Sequence, residues 1–421
     1  MKCNVRAILS MIPILGLMNM ALLFDISAQE AMRMGWQHSE LVVSAFGRIN
    51  RQLYLYTLDW RATEKEYQLA RWSVPPAGKP FLATMKLSDD LITLWPLTNR
   101  LATPHWNIRP IVFVIAIGGL TNGYEIALDL ERRTVLFQLE LDPKEEHVPY
   151  NSFGLLGESV LLVADTSRLP CRGMAYAIAT EKDGKWMLTH SRLDLPIRQL
   201  LGADMVDNTV RVFYIPFTDE KQLGPVSVRM CELDPRTSKV LRDKPFIENV
   251  LSPILIFPTN KKEIWLFADG TLSSYERSSL KLLKASKIAG APVAKPLGKQ
   301  EDRPQVVVSR LAATDNESRY LAFFPDVREG LWVIDVVQGK VVFSDTNHAL
   351  RIEKFFQKNH HNVFAAAHVM IQDLAFVEGA DLLAAVVGTG QLYLFDVKEG
   401  RRPRTYYLSA IAKPFDELVR P

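Results

Sequence analysis

Apolar side chains recur in short runs along this chain, and turn-forming residues separate the runs. The stretch from Gly330 to Phe343, GLWVIDVVQGKVVF, contains an apolar strand, an aspartate, a Gln-Gly turn and a second apolar strand. A shorter version, GQLYLFDVKEG, runs from Gly390 to Gly400. β-Branched and aromatic residues bounded by turn residues are typical of antiparallel hairpins. The pattern therefore predicts β-structure that repeats along the chain.

The same order of strand, aspartate and turn occurs at several further places. An aspartate at the end of a strand accepts hydrogen bonds from backbone N–H groups two or more residues later, which favours a turn. We therefore predict a structural, turn-capping role for a set of aspartates and turn glycines: Asp59, Asp129, Asp234, Asp335, Asp396, Gly339 and Gly400. Two weaker copies turn at Asp183-Gly184 and near Arg277, and the seven copies lie about 56 residues apart.

Each copy is preceded by further strands, so that a unit contains four short strands. The apolar run from Ile111 to Ile117 indicates a strand that is buried on both faces. After residue 28 no segment has a convincing helical period, and the best helical candidate lies in an insertion from Ala349 to Met370. Such units bury their faces only by stacking in a ring. The sequence predicts an all-β fold, a β-propeller of about seven four-stranded blades, with six or eight blades still open.

The units resemble those of the β-propeller superfamily, in the style of degenerate YVTN-type, quinoprotein-like and WD40-like blades. The resemblance covers about residues 40–411. The Gly-His and Trp-Asp pairs of true WD40 repeats are missing, as is the Trp-rich docking signature of quinoprotein alcohol dehydrogenases. The resemblance implies a central channel and no particular activity. The segment from Glu40 to Gly47, ELVVSAFG, is either a strand that closes the ring with the last blade or the first strand of blade 1.

The N-terminus has the layout of a secretory signal peptide. Lys2 and Arg6 precede an apolar stretch from Ala7 to Phe24, and Ser27 and Ala28 follow it. We therefore expect residues 1–28 to be a signal peptide and residues 29–421 to form a single propeller domain. The alternative is an uncleaved anchor, because the apolar stretch reaches the lower limit for a membrane span. In either case the expected location is outside the cytoplasm, secreted or periplasmic.

The bulk composition is that of a globular protein. Of the 421 residues 48% are hydrophobic and 23% are charged, and the formal net charge is +3. The densest basic cluster consists of Arg401, Arg402 and Arg404, which is too small for a basic face that would bind nucleic acid. We therefore predict no nucleic-acid partner.

Two cysteines remain after removal of the signal peptide, Cys171 and Cys231. An oxidising compartment would permit a disulfide between them. The alternative is two separate buried thiols, and the sequence leaves both open.

Motifs that would indicate chemistry are weak. The histidine cluster of His360, His361 and His368 lacks the spacing of a ligand pair, and Ser159 lacks the second glycine of a nucleophile elbow. Asp89 and Asp90 are adjacent and would point to opposite faces of a strand. We therefore assign no catalytic, cofactor-binding or metal-binding residues, and no cofactor is identified.

Three hypotheses for function follow from these features. The first is an exported, non-catalytic binding module that presents its loops to a protein or polymer ligand, with residues 356–366 of the insertion as a recognition element. The second is an extracytoplasmic enzyme with a site at the central channel, such as a lactonase-like hydrolase or a quinone-dependent dehydrogenase. The third is an anchored subunit of an envelope complex. We favour the first.

Overall fold

The chain forms seven four-stranded antiparallel sheets in a computed structural model. The structure describes residues 42–61, 66–87, 91–96, 109–118, 122–141, 152–156, 159–165, 174–183, 185–193, 197–216, 225–251, 253–259, 262–291, 311–324, 330–345, 371–388, 390–399 and 403–408. Every sheet consists of four strands that are consecutive in the chain. The prediction of an all-β propeller with about seven four-stranded blades is therefore confirmed, and the number of blades is seven.

The four strands of a blade are named A to D in chain order. The first four blades consist of β1 Val43–Ile49, β2 Gln52–Arg61, β3 Glu66–Ser73 and β4 Phe81–Met85 (blade 1); β5 Leu91–Pro96, β6 Ile111–Gly118, β7 Asn122–Asp129 and β8 Thr134–Leu141 (blade 2); β9 Ser152–Leu156, β10 Ser159–Asp165, β11 Met174–Lys182 and β12 Lys185–Leu193 (blade 3); and β13 Ile197–Val206, β14 Thr209–Pro216, β15 Val226–Leu233 and β16 Val240–Val250 (blade 4).

The other three blades follow the same scheme. They consist of β17 Pro253–Pro258, β18 Glu263–Ala268, β19 Thr271–Glu276 and β20 Leu282–Lys287 (blade 5); β21 Leu311–Thr314, β22 Tyr320–Phe324, β23 Leu331–Asp335 and β24 Lys340–Asp345 (blade 6); and β25 Ile371–Phe376, β26 Leu382–Val387, β27 Gln391–Asp396 and β28 Arg404–Tyr407 (blade 7).

Tight turns join many of the strands because the sequence supplies residues that tolerate a positive φ. Asn50 and Arg51 have φ of 48° and 68°, and Asp207 and Asn208 have φ of 49° and 60°. Two successive residues with positive φ are typical of the two-residue hairpin turn whose twist matches that of the flanking strands. These turns fix the A–B register of blades 1 and 4, where Ile49 pairs with Gln52 and Val206 with Thr209.

The core lies between the blades. Seven clusters of buried apolar side chains occur, and each combines residues of two neighbouring blades, from blades 1 and 2 round to blades 7 and 1. The last cluster places Phe46 and Leu55 of blade 1 against Ala384 and Leu392 of blade 7. Because all seven interfaces are filled in this way, the blades form a closed ring.

Strands A are innermost and strands D are outermost. The A strands of neighbouring blades contact each other, as β13 contacts β17 and β1 contacts β25. The B strands are the most buried, and all five residues of β22 are buried. The D strands are the most exposed, and five of the six residues of β20 are exposed. The A–B and C–D turns lie at one end of each sheet, here named the A–B face.

Blade 1 begins with β1, so the described part of the segment predicted to be either a closing strand or the first strand of blade 1 supplies the first strand. Hydrogen bonds between blades 1 and 7 close the ring, and within the described ranges no strand of one blade joins the sheet of the other. The described residues contain no helix of a length and hydrophobicity that would cross a lipid bilayer.

Candidate interaction surfaces

The turn aspartates lie where the C strands end and accept hydrogen bonds from the following turn. Asp129 Oδ1 accepts from the N–H groups of Glu131 and Arg132, both at 3.0 Å. Asp335 Oδ1 accepts from the N–H of Gln338 at 2.9 Å. The same carboxylates also pair with arginines, since Arg109 Nη2 lies 3.2 Å from Asp129 Oδ2 and Arg319 Nη2 lies 3.1 Å from Asp335 Oδ2.

In the exposed turns of blades 4 and 7 the aspartates accept the same kind of local hydrogen bond. Asp234 Oδ1 accepts from the N–H of Arg236, and Thr237 Oγ1 donates to Asp234 Oδ2, both at 2.8 Å. These hydrogen bonds lower the pKa of Asp234. Asp396 Oδ1 accepts from the N–H groups of Lys398 and Glu399 at 3.1 and 2.9 Å. These aspartates therefore hold the C–D turns.

The remaining predicted turn residues differ in position. Asp59 lies inside β2, a B strand, opposite Gln68, and so does not occupy the place of the other four aspartates. Gly339 has a φ of 63° at the end of the C–D turn of blade 6, which is the left-handed region that favours glycine. Gly400 lies outside the described residues.

Arginines on the A–B face join neighbouring blades, and the sequence did not reveal them as partners. Arg277 of blade 5 donates from Nε to Asp204 Oδ2 of blade 4 at 2.8 Å, and Asp204 is fully buried. Arg132 of blade 2 donates from Nη1 to Glu181 Oε1 of blade 3 at 2.9 Å. One sequence signal would have found the related arginine–aspartate pairs within a blade: in blades 2 and 6 an arginine just before the B strand precedes the aspartate at the end of the C strand by 20 and 16 residues.

Blades 1 and 7 meet through side chains of the inner strands. Gln372 Oε1 accepts from the N–H of Ser44, and Asp373 Oδ2 accepts from the N–H of Phe46, both at 2.9 Å. Gln372 Nε2 also donates to Val42 O at 2.9 Å. Gln372 is an extra residue in the pairing of β25 with β26, and this bulge allows two successive side chains to reach the same neighbouring strand. We name this group the closure clasp.

The cysteines and histidines give no assembled site within the described residues. Cys231 is fully buried on β15 among the apolar side chains between blades 3 and 4. Burial raises the pKa of the Cys231 thiol to about 12, to which the carboxylates of Asp243 and Glu232 also contribute. Cys171, the histidines at 360, 361 and 368, and the insertion with residues 356–366 lie outside the described residues. Across the described ranges no three His, Cys, Asp or Glu side chains come together as a metal site requires.

The outer rim of blades 4 and 5 exposes large apolar side chains. The members with between 43% and 58% of their surface exposed are Val240, Leu241, Leu251, Leu282 and Leu283. The ring of Phe246 of β16 packs at 59° to that of Tyr275 of blade 5, with ring centroids 5.0 Å apart, and Leu280 joins the same cluster. These contacts bring the middle of β16 beside the end of β19 and the C–D turn of blade 5. We name this surface the rim patch.

Comparisons with known proteins give likenesses of fold at low sequence identity. No protein-family model and no curated protein sequence matches the chain. Among solved structures, BamB from Moraxella catarrhalis is 9% identical, with 86% of this chain and 84% of that chain covered and a TM-score of 0.40. Sqt1 from Saccharomyces cerevisiae is 12% identical, with coverages of 87% and 86% and a TM-score of 0.40. Hsv2 from Kluyveromyces lactis is 10% identical, with coverages of 88% and 100% and a TM-score of 0.46.

Proposed function

We propose that this chain is an exported, non-catalytic propeller that binds a protein partner. The rim patch is the observation that carries the proposal. Soluble monomers rarely expose contiguous apolar surface, and such patches mark interaction sites when polar residues surround them. Here Arg242 and Lys284 are exposed next to the apolar side chains. An apolar centre with a charged border is the composition expected of a protein interface.

The proposal includes the processing of the N-terminus. Residues 1–28 act as a signal peptide, and residues 29–421 form the mature propeller outside the cytoplasm, either secreted or periplasmic. The layout of Lys2, Arg6 and the apolar stretch that follows supports this assignment. Residues 356–366 are proposed as a second recognition element, because insertions on rigid scaffolds often carry binding residues.

Native mass spectrometry of the full-length chain, tagged and gently purified from its source cells, tests this function. The expected species is a mature chain that begins near Gln29 with a bound polypeptide. A bound metal or small organic cofactor without a polypeptide would overturn the proposal in favour of the enzyme hypothesis. A retained N-terminus would overturn the signal-peptide assignment and favour the anchored subunit.

Two variants locate the binding surface. Leu241→Glu with Leu251→Glu changes the rim patch, and both side chains are exposed enough that the free energy of unfolding should change by less than about 0.5 kcal/mol each. Deletion of residues 356–366 removes the second element. We expect the rim variant to lose the partner while it keeps its cooperative unfolding transition. Retention of the partner by both variants would show that neither surface binds it.

A further inference from the structure

The outermost strand of blade 5, β20, has an outer backbone edge with which no other described strand pairs. It is the terminal strand of its sheet, which has the order β17-β18-β19-β20. Five of its six residues are exposed, among them Leu282 and Leu283 at 51% and 54%. An edge strand carries a row of N–H and C=O groups that can pair with another extended chain.

The register of blade 5 shows which groups point outward. Ser273 pairs with Ala285 and Leu272 with Ser286, and the N–H of Ile288 donates to Gly270 O at 2.9 Å. The direction of backbone groups alternates along an antiparallel strand. The N–H groups of Ser286 and Lys284 therefore point toward β19, whereas those of Ala285 and Lys287 point away from the sheet.

The neighbouring blade shows such an edge in use. Directly after β20, Ala289 donates its N–H to Gly339 O at 2.9 Å and accepts at its carbonyl from the N–H of Val341 at 2.9 Å. This is a parallel bridge between Ala289 and Lys340 on the outer edge of blade 6. The outer edges of this propeller are thus geometrically able to accept an added extended segment.

The charges on β20 indicate which kind of segment would pair with its edge. Lys281, Lys284 and Lys287 are exposed along this strand and its preceding turn. A second copy of the chain paired edge to edge would bring six lysines together, which disfavours self-association. An extended segment with carboxylates would pair with the lysines, and its apolar residues would cover Leu282 and Leu283.

We propose that the outer edge of blade 5 is a strand-addition site for an extended, acidic and apolar segment of the partner protein. This inference rests on the proposed protein-binding function, and it names the mode of binding and the chemistry of the partner. Main-chain hydrogen bonds would provide affinity, and the lysines and leucines would provide selectivity.

The probe is a short fluorescein-labelled peptide of repeated Val-Val-Glu-Glu, which places both residue types on each face of an extended strand, and its binding to the full chain is followed by anisotropy. Ala285→Pro removes one outward N–H and leaves the ladder with β19 intact, as proline is tolerated on edge strands. We expect this variant to weaken binding at least about tenfold. A peptide with N-methyl groups on alternate residues should bind as weakly to the unaltered chain, which tests the backbone bonds without a change in the protein.

Reversal of the lysine charges on β20 provides a second test. Lys284→Glu with Lys287→Glu should lose the valine-glutamate peptide and gain a valine-lysine peptide. The matched control is Lys182→Glu with Lys185→Glu on the outer hairpin of blade 3, which has the same change in charge on exposed side chains and should bind the probe like the unaltered chain.

Several results would overturn the site. One is that Ala285→Pro binds the probe as tightly as the unaltered chain does, and that the N-methylated peptide binds the unaltered chain equally well. Others are an equal loss of binding in the control variant, or no binding of the probe at all. The last is dimerisation of the chain that Ala285→Pro abolishes. None of these results would contradict the detection of a polypeptide partner by native mass spectrometry. Failure of this site can therefore be distinguished from failure of the proposed function.

Discussion

At the scale of single residues, Asp129 and Asp335 each combine a local role with a longer-range one. One oxygen of Asp129 accepts two N–H groups of its own turn, and the other oxygen pairs with Arg109. In Asp335 the same division applies, with Arg319 as the partner of the second oxygen. The local bonds fix the C–D turn, and the arginine then ties the C–D turn to the start of the B strand.

Asp315 gives a pH-dependent prediction at this scale. Its Oδ1 accepts from the N–H groups of Arg319 and Tyr320, both at 2.7 Å, and burial raises the pKa of this carboxyl above 3.8. Because the pKa of this carboxyl is higher in the folded than in the unfolded chain, protonation favours the folded state. This stabilisation is fully present below the unfolded pKa and is lost as the pH rises through the folded pKa. Asp315→Asn keeps the accepting oxygen and cannot ionise.

The free energy of unfolding of Asp315→Asn, relative to the unaltered chain, should therefore increase from about pH 3 to about pH 6. Urea unfolding at several pH values measures this difference. A difference that stays constant over that range would contradict the raised pKa.

Cys231 provides a second prediction. Because its thiol is buried and its pKa is raised to about 12, almost no thiolate is present at neutral pH. Alkylation of Cys231 by iodoacetamide should be negligible in the folded chain and rapid in denaturant. Absence of alkylation in denaturant without reductant, together with alkylation after reduction, would instead indicate the disulfide with Cys171.

At the scale of elements, the outer hairpin of blade 5 is fastened to the inner strand of blade 4. Arg277 donates to the buried carboxylate of Asp204 and to Met205 O, and Arg211 donates to Arg277 O. The A–B turn of blade 4 and the C–D turn of blade 5 therefore behave as one unit.

Arg277→Ala would leave the fully buried carboxylate of Asp204 without its guanidinium. Removal of one partner of a buried pair typically costs about 3 to 5 kcal/mol of the free energy of unfolding. Arg132→Ala is the control, because Arg132 is 56% exposed and its pair with Glu181 should contribute no more than about 1 kcal/mol. Urea unfolding of both variants checks the ranking, and equal losses would contradict it.

At the scale of the whole molecule, the closure clasp joins the two ends of the ring. The N–H groups of Ser44 and Phe46 are buried, and their acceptors come from residues more than 300 positions away in the chain. Arg48 adds bonds to Phe376 O at 2.9 Å and to Asn316 Oδ1 at 3.0 Å, so that blade 1 also contacts blade 6.

Asp373→Ala should open this junction. It leaves the buried N–H of Phe46 without its acceptor, which we expect to cost about 1 to 3 kcal/mol. Limited proteolysis should then cleave first near the junction of blades 1 and 7. The matched control, Asp396→Ala, removes a turn cap in the same blade and should not redirect the cleavage; an unchanged cleavage pattern in Asp373→Ala would contradict the role of the clasp.

Much of the architecture follows from local sequence. Short apolar runs, residues that tolerate positive φ and a repeating aspartate predict strands, turns and about seven blades, because all three depend on neighbours within a few residues. Asp59 shows the limit of this reasoning. It follows an alternating strand, as the other aspartates do, yet it lies in a B strand, because strand position within a blade is set by pairing with its neighbours.

Local sequence thus predicted the strand-rich units and about seven blades, with six or eight still open. The packing of the blades determines which arginine meets Asp204, how Gln372 and Asp373 close the ring, and which leucines remain exposed on β16 and β20. The reason is physical: Leu282 and Leu321 are the same residue type, but blade packing buries Leu321 and leaves Leu282 at the edge of its sheet. Burial and long-range pairing depend on the neighbouring blade, which local sequence does not specify.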